Sequence, residues 1–457
     1  MIKIIFILFF SFFLVSCTAN PSISREITKK KEEQPLLETI IPKELVVVTT
    51  DFREYGTEEI IREFEVNNAD VNIRHIKYTT EELPNVYEQM KVGFMSGNAF
   101  SIVGDVFSLY NENLSYANRG YLADIYELMN NDPNFKNEEY YASIFEALEH
   151  KGKLYYFPIS FTYFSVVLNK NLSEQELGLF NALDSISYPE MFSFYINVDS
   201  NQSLYIDSSY TPADWGAPIR SDIQNELAKF VNYYDQTCSF DSEDFIDLLE
   251  LYKTIESLKI SPDISRSDFF LGVSYFESDL RLSKQYVFRR IIQCFYQYKL
   301  QYESNNFTHP IPLTNSSGEI RITPLNYSIY AGSENKDLAW KFLKFATANE
   351  RGYHAYDISP NKILDRTHLL TLLQEYVMYS KKTTSDVITS LSNRAAALSD
   401  YQDELFETMP IANLAVTYDQ PLLAIVQEEV ELFFLGIQTA EQTAAKIQNK
   451  VTLYLLE

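Results

Sequence analysis

The chain is 457 residues long, 46% hydrophobic and strongly acidic, with a formal charge of −25 at pH 7. That apolar share can bury large cores and excludes disorder for most of the chain, and the length fits two or three domains. The charge argues against nucleic acid or anionic lipid headgroups as partners and leaves neutral ligands open.

At the N-terminus, Lys3 precedes the apolar stretch IIFILFFSFFLV (4–15). It falls short of the about 20 residues that a spanning helix needs, which is the proportion of an export signal. Leu14-Val15-Ser16-Cys17 resembles the bacterial lipobox. That resemblance implies a signal peptide over 1–16 and acylation of Cys17; the alternative is an ordinary signal peptide with a chance cysteine. Several acyl chains, at about 0.8 kcal/mol per buried CH₂, would hold the chain on a membrane surface. Residues 17–43 then form the anchor and a flexible tether, being polar, charged and aperiodic. The expected place is the outer face of the cell membrane (Gram-positive type) or a periplasm. Cys238 and Cys294 could pair in such a compartment, or Cys294 could be a buried thiol in the apolar FRRIIQCF.

The first folded piece is ELVVVTT (44–50), a β-branched run that reads as a buried strand. The loop DFREYG follows, then a helix with Ile60, Ile61 and Phe64 at helical spacing and Glu58 and Glu59 in its first turn. VNIRHIKY (71–78) is a second strand. Such β-loop-α-β units build mostly parallel sheets that bind ligands at strand carboxyl ends, where loop 51–56 falls. A helix with Val86, Met90 and Phe94 ends at a Gly97 turn, and SIVGDVFSLY (101–110) reads as a strand with Asp105 inside it.

RGYLADIYELM predicts a loop and short helix, leading to KGKLYYFPISFTYFSVVLNK (151–170). In that stretch alternation sets Thr162 and Phe164 on one face against Phe161, Tyr163 and Ser165 on the other. Periodicity fades over 171–225. EDFIDLLELYKTIESL (243–258) is amphipathic, and a further helix is expected within 279–300. IRITPLNYSIYAG (320–332) reads as an interrupted strand and 333–350 as a helix. PLLAIVQEEVELFFLG stops at Gly436, and TAEQ (439–442) has capping-box spacing before the last helix.

In this order the elements resemble the extracellular solute-binding proteins of ABC importers, in the branch of the maltose-binding proteins. Four stretches carry the resemblance: EEIIREFEVNNADVNIRHI, SGNAFSIVGDVFSLYNENLSYANRGYLADI, GKLYYFPISFTYFSVVLNKNL and PIPLTNSSGEIRITPLNYSIYAGSENKDLAWKFLKF. It implies a periplasmic-binding-protein-like α/β fold of two lobes joined by hinge strands, with ligand held between them. Lobe 1 would cover 44–160 with part of about 300–350, and lobe 2 would cover 161–300 with part of about 351–457.

By the same resemblance, Asp51 and Tyr55 match positions that reach ligand, though a surface-loop role is as open. Asp105 matches a strand aspartate that either binds or braces a neighbouring loop. Tyr110 and Asn111 follow at the cleft rim. The resemblance makes PISFTYFSVV a crossover along the cleft floor, with Thr162 or Tyr163 facing the ligand and Val166 and Val167 in the core; Thr162 stands where maltose-binding relatives carry a glutamate, which weakens a maltose assignment. Asn326, Tyr327, Tyr418 and Asp419 lie near segments where the family places ligand-contacting aromatics. Trp215, in the Gly/Pro-rich SYTPADWGAP, is either a stacking platform or a loop anchor.

The implied function is capture of a sugar or oligosaccharide by a monomer that delivers it to ABC permease subunits. Neither cofactor nor catalytic residue is expected, because the chain has no G-x-S-x-G elbow and no G-x-x-x-x-G-K-[ST] loop. His75, His150, His309, His354 and His368 show no metal-ligand spacing. An exported carbohydrate-active hydrolase and a ligand sensor for a membrane kinase are the alternatives.

Overall fold

The computed structural model describes residues 42–51, 57–109, 114–168, 181–187, 221–257, 288–293, 311–348, 358–364 and 402–456, with a few single residues between. Residues 1–41, on which the expected export signal, acylated Cys17 and most of the expected tether fall, and Cys294 lie outside the described residues.

The β-branched run near the start forms strand β1 (Lys43–Thr50), in which Leu45 to Val48 are buried. Helix α1 (Thr57–Asn67) lays Ile61 and Phe64 into the core, with Glu58 and Glu59 at its positive end. Strand β2 (Val71–Tyr78) returns parallel to β1, in register from Lys43↔Val71 to Thr50↔Tyr78. Helix α2 (Leu83–Ser96) buries Val86, Met90 and Phe94 and stops at Gly97, whose φ is +75°.

The next segment differs from expectation. Phe100–Val103 is a helical turn, α3, and strand β3 is only Val106–Ser108, so Asp105 precedes the strand. Gly104 makes the break, with φ at +62° and a site where a Cβ would lie 2.7 Å from the Val46 carbonyl oxygen. Only glycine allows the chain to turn that close to β1.

Hairpin β4 (Glu149–His150) and β5 (Lys153–Leu154) turns through Lys151 and Gly152, both left-handed. β6 (Phe157–Leu168) follows, then β7 (Ile186–Ser187) and a second hairpin, β8 (Val231–Asn232) with β9 (Thr237–Cys238). Helix α4 (Glu243–Ser257) is the amphipathic one. The helix expected within 279–300 is corrected in its described part: Phe288–Gln293 is strand β10, laddered antiparallel to β6. Pairing along a neighbouring strand outweighs the weak local periodicity of FRRIIQ, which carries two adjacent β-branched residues. Strands β11 (Ile311–Thr314) and β12 (Ile322–Ile329) precede helices α5 (Lys336–Ala348), α6 (Gln420–Phe434) and α7 (Ala440–Leu456). The capping box before α7 is formed: Gln442 N donates to Thr439 Oγ1 and Thr439 N to Gln442 Oε1.

One sheet runs in the order β2-β1-β3-β12-β6-β11-β7, with β10 also on β6. It serves two hydrophobic cores. The first draws on β1 to β6, β12, α5 and residues 405–415; the second on 223–252, β11, α6 and α7. Strand β6 crosses from one to the other: Phe157 to Tyr163 pack in the first, Phe164 packs against the second, and β11 of the second pairs beside it. Phe161, opposite Pro324, exchanges both its backbone bonds with Ile358 instead, at 2.9 Å each, so a third segment lies against β6. No described helix is long and apolar enough to cross a membrane.

Candidate functional site

Side chains alternate along β6. Phe161, Tyr163 and Ser165 are buried, while Thr162 and Phe164 are partly exposed. Tyr163 is 1% exposed and meets Phe406 edge-on at 5.4 Å, so of the two ligand candidates it belongs to the core. Thr162 sits opposite the exposed Thr323 in the ladder, and neither hydroxyl bonds to the protein among the described residues. Two adjacent hydroxyls with free bonding capacity on the ribbon face can receive a polyol. Thr323 escaped the sequence reading, although a β-branched hydroxyl three residues before Asn326 was a usable signal.

The strand ends supply further groups. Asp51 follows β1, is partly exposed, and accepts from Thr80 N at 2.9 Å and Thr80 Oγ1 at 2.7 Å, tying the loops after β1 and β2. Thr50 beside it is inaccessible, and its hydroxyl has no partner. Tyr55, Tyr110, Asn111 and Trp215 lie outside the described residues.

Asp105 braces the fold. It is fully buried and accepts from Val46 N at 2.7 Å, Ser333 Oγ at 2.5 Å and Asn335 Nδ2 at 3.4 Å. Those bonds pin β1 to the turn that opens α5 and leave no face for a ligand.

The four late candidates form a mostly buried chain. Asn326 stands where the β6–β12 register slips, is 1% exposed, and donates from Nδ2 to Tyr418 Oη at 2.9 Å. Ser108 Oγ donates to its carbonyl at 2.5 Å, and its Oδ1 has no partner. Tyr418 leans edge-on against Tyr156 at 5.2 Å. Tyr327 is buried, its Oη 3.5 Å from Thr57 Oγ1. Asp419 is 1% exposed, caps α6 by accepting from Leu422 N, and takes the hydroxyls of Tyr233 at 2.8 Å and Tyr454 at 2.7 Å. Burial pushes its carboxyl up from the ordinary range, against those hydrogen bonds and the charge of Lys151. In turn burial and the Asp419 charge push the Tyr233 phenol well above its usual value.

A cavity of about 400 Å³ opens between the two hairpins, lined by residues 149–151, 228–234, 237–239, 413, 415 and 416. None of the described sequence candidates lines it. His150 closes one wall, with Nε2 2.9 Å from Asn118 Oδ1 and its ring edge-on to Tyr233 at 5.4 Å. Burial, helped by Lys151, lowers its pKa to about 4, so it is neutral at physiological pH. Cys238 is a free thiol that contacts Thr452 Oγ1 at 3.4 Å. Among the described residues no three His, Cys, Asp or Glu side chains are grouped to hold a metal.

Two cores bridged by hinge strands, with a hydroxyl-bearing ribbon between, define the class: the chain has the two-lobed α/β fold of the ABC-type solute-binding proteins. The sugar-binding protein MalE from Xanthomonas citri superposes with a TM-score of 0.58 at 14% identity, covering 91% of this chain and 98% of that one. An ABC substrate-binding protein from Listeria monocytogenes, solved in complex with cycloalternan, gives 0.54 at 14% identity over 91% and 99%. The GacH receptor of Streptomyces glaucescens, solved unliganded and with acarbose, gives 0.51 at 14% identity over 90% and 98%. No protein-family model matches the sequence. No curated protein matches it either.

Proposed function

We propose that this protein is a lipid-anchored receptor on the outer face of a membrane that captures a neutral sugar or oligosaccharide and delivers it to an ABC permease. The ribbon carries the reading: Thr162 and Thr323 present unbonded hydroxyls where the chain crosses between two cores. Similar folds in receptors solved with cycloalternan, tagatose, mannitol and acarbose support it, and none of those is described as an enzyme. The lipobox-like Leu14-Val15-Ser16-Cys17 supports the anchor.

In this reading Thr162, Thr323 and Asp51 contact the ligand, and Tyr55, Tyr110, Asn111 and Trp215 are further candidates from the sequence. Asp105, Tyr163, Tyr327 and Asp419 stay with the fold, and Asn326 and Tyr418 support the ribbon from its buried side. Ligand that touches both lobes favours one arrangement of them over others, which is the state a permease would read. The permease's own ATPases supply the energy. The receptor acts as a monomer.

Calorimetry and thermal shift with a panel of oligosaccharides test this. At least one saturable ligand is expected, with a Tm that rises with its concentration. Binding of only peptides, amino acids or metal ions overturns the cargo, and turnover of any oligosaccharide overturns the receptor role. Trp215→Ala is expected to weaken binding without unfolding the chain.

A further inference from the structure

The cavity between the hairpins lies apart from the ribbon face, and three groups on its wall have no full role in the fold. Glu149 accepts only two long bonds, from Tyr126 Oη at 3.3 Å and Tyr234 Oη at 3.5 Å, where a hydroxyl donor ordinarily comes within about 2.8 Å. Among the described residues the Lys151 ammonium makes no hydrogen bond and no ion pair, yet its charge is felt at both His150 and Asp419. It also holds a left-handed backbone at φ +51°, a conformation that asparagine adopts more readily than lysine. Tyr234 leaves its ring 71% exposed at the rim, the most open aromatic among the described residues.

An under-bonded acceptor, an unpartnered donor and a bare aromatic face at one cavity are the three parts of a polyol site. The carboxylate accepts hydroxyls, the ammonium donates to ring and hydroxyl oxygens, and the aromatic covers a C–H face. The charges of Glu149 and Lys151 cancel, which disfavours a charged ligand. The volume of about 400 Å³ lies at the lower end of small-molecule pockets.

We propose that this cavity is a second binding site, for a neutral hydroxyl-rich ligand of roughly one or two sugar rings, with Tyr234 as platform, Glu149 as acceptor and Lys151 as donor. The site is built from residues of both cores and is independent of the cargo proposed for the ribbon.

Saturation-transfer NMR with maltose as probe tests it on the full chain, because the method reads weak binding directly. The wild type is expected to show a saturable millimolar component. Tyr234→Ala and Lys151→Asn each weaken that component by about tenfold, the loss of one stacking or charge-assisted contact. Lys151→Asn suits the left-handed turn, so loss of binding there is not loss of folding, and an unchanged melting curve verifies this. A component absent from the wild type, or equally strong in either variant, overturns the proposal. Binding at the cavity with none at the ribbon keeps this proposal and removes the one for the ribbon.

Discussion

The open face of the β6–β12 ribbon and the buried chain beside it use similar groups to opposite ends. Thr162 and Thr323 point hydroxyls outward with no partner in the fold. Asn326, three residues further along β12, bonds Ser108 and Tyr418, and Asp419, next to Tyr418 at the start of α6, bonds Tyr233 and Tyr454. Burial makes the difference: a hidden polar group must find a partner inside the protein, and an accessible one can wait for a ligand. Substitutions on the buried side should therefore cost stability, and those on the open side affinity.

The largest effect is expected at Asp105. Asp105→Ala strands three donors around one buried site and should lower stability by about 3–4 kcal/mol, read as a shift of the urea midpoint. A loss below about 1 kcal/mol would detach Asp105 from the bracing role.

His150 gives the next effect, through pH. The folded chain keeps it neutral down to about 4, whereas the unfolded chain charges it near 6.5. Stability is thus full above the higher value and is lost as pH falls between the two, by up to about 3 kcal/mol. His150→Gln should flatten that part of the pH–melting profile, and a slope equal to wild type would refute the assignment.

Asp419→Ala removes the cap of a 15-residue helix and leaves the Tyr233 and Tyr454 hydroxyls unpaired, for about 2 kcal/mol. Asp419→Asn keeps the cap and should recover much of that in thermal melts. The smallest stability effect belongs to the open face. Thr162→Val should change stability by less than about 0.5 kcal/mol, while calorimetry shows ligand affinity reduced about three- to tenfold. An unchanged affinity would move the ligand off the ribbon.

Much of the first β-α-β unit was legible because local signals agree there: a β-branched run, acids at a helix start, and a glycine at a helix end. The segment 101–110 misled because Ile102 and Val103 look like strand while Gly104, held against Val46, forces a turn that only the neighbouring strand explains. Phe288–Gln293 misled for a related reason, since its partner β6 lies more than a hundred residues earlier. In the candidate site, alternation narrowed the choice to Thr162 or Tyr163, but Phe406, which decides it, is remote in sequence. The partners of Asp419 come from 186 residues before and 35 after, and the cavity between hairpins left no sequence trace at all.

Pro324 has a consequence for the protein in a crowded setting. β3 pairs with β12 only at Ser328 and Ile329, so among the described residues the flank of β12 near Thr323 has no strand beside it. Such a flank is a template on which another chain can add a strand. Proline has no N–H to offer there, and the register slip at Leu325/Asn326 bends the edge just beyond it. Copies of this chain crowded together are thereby kept from zippering to one another along that flank.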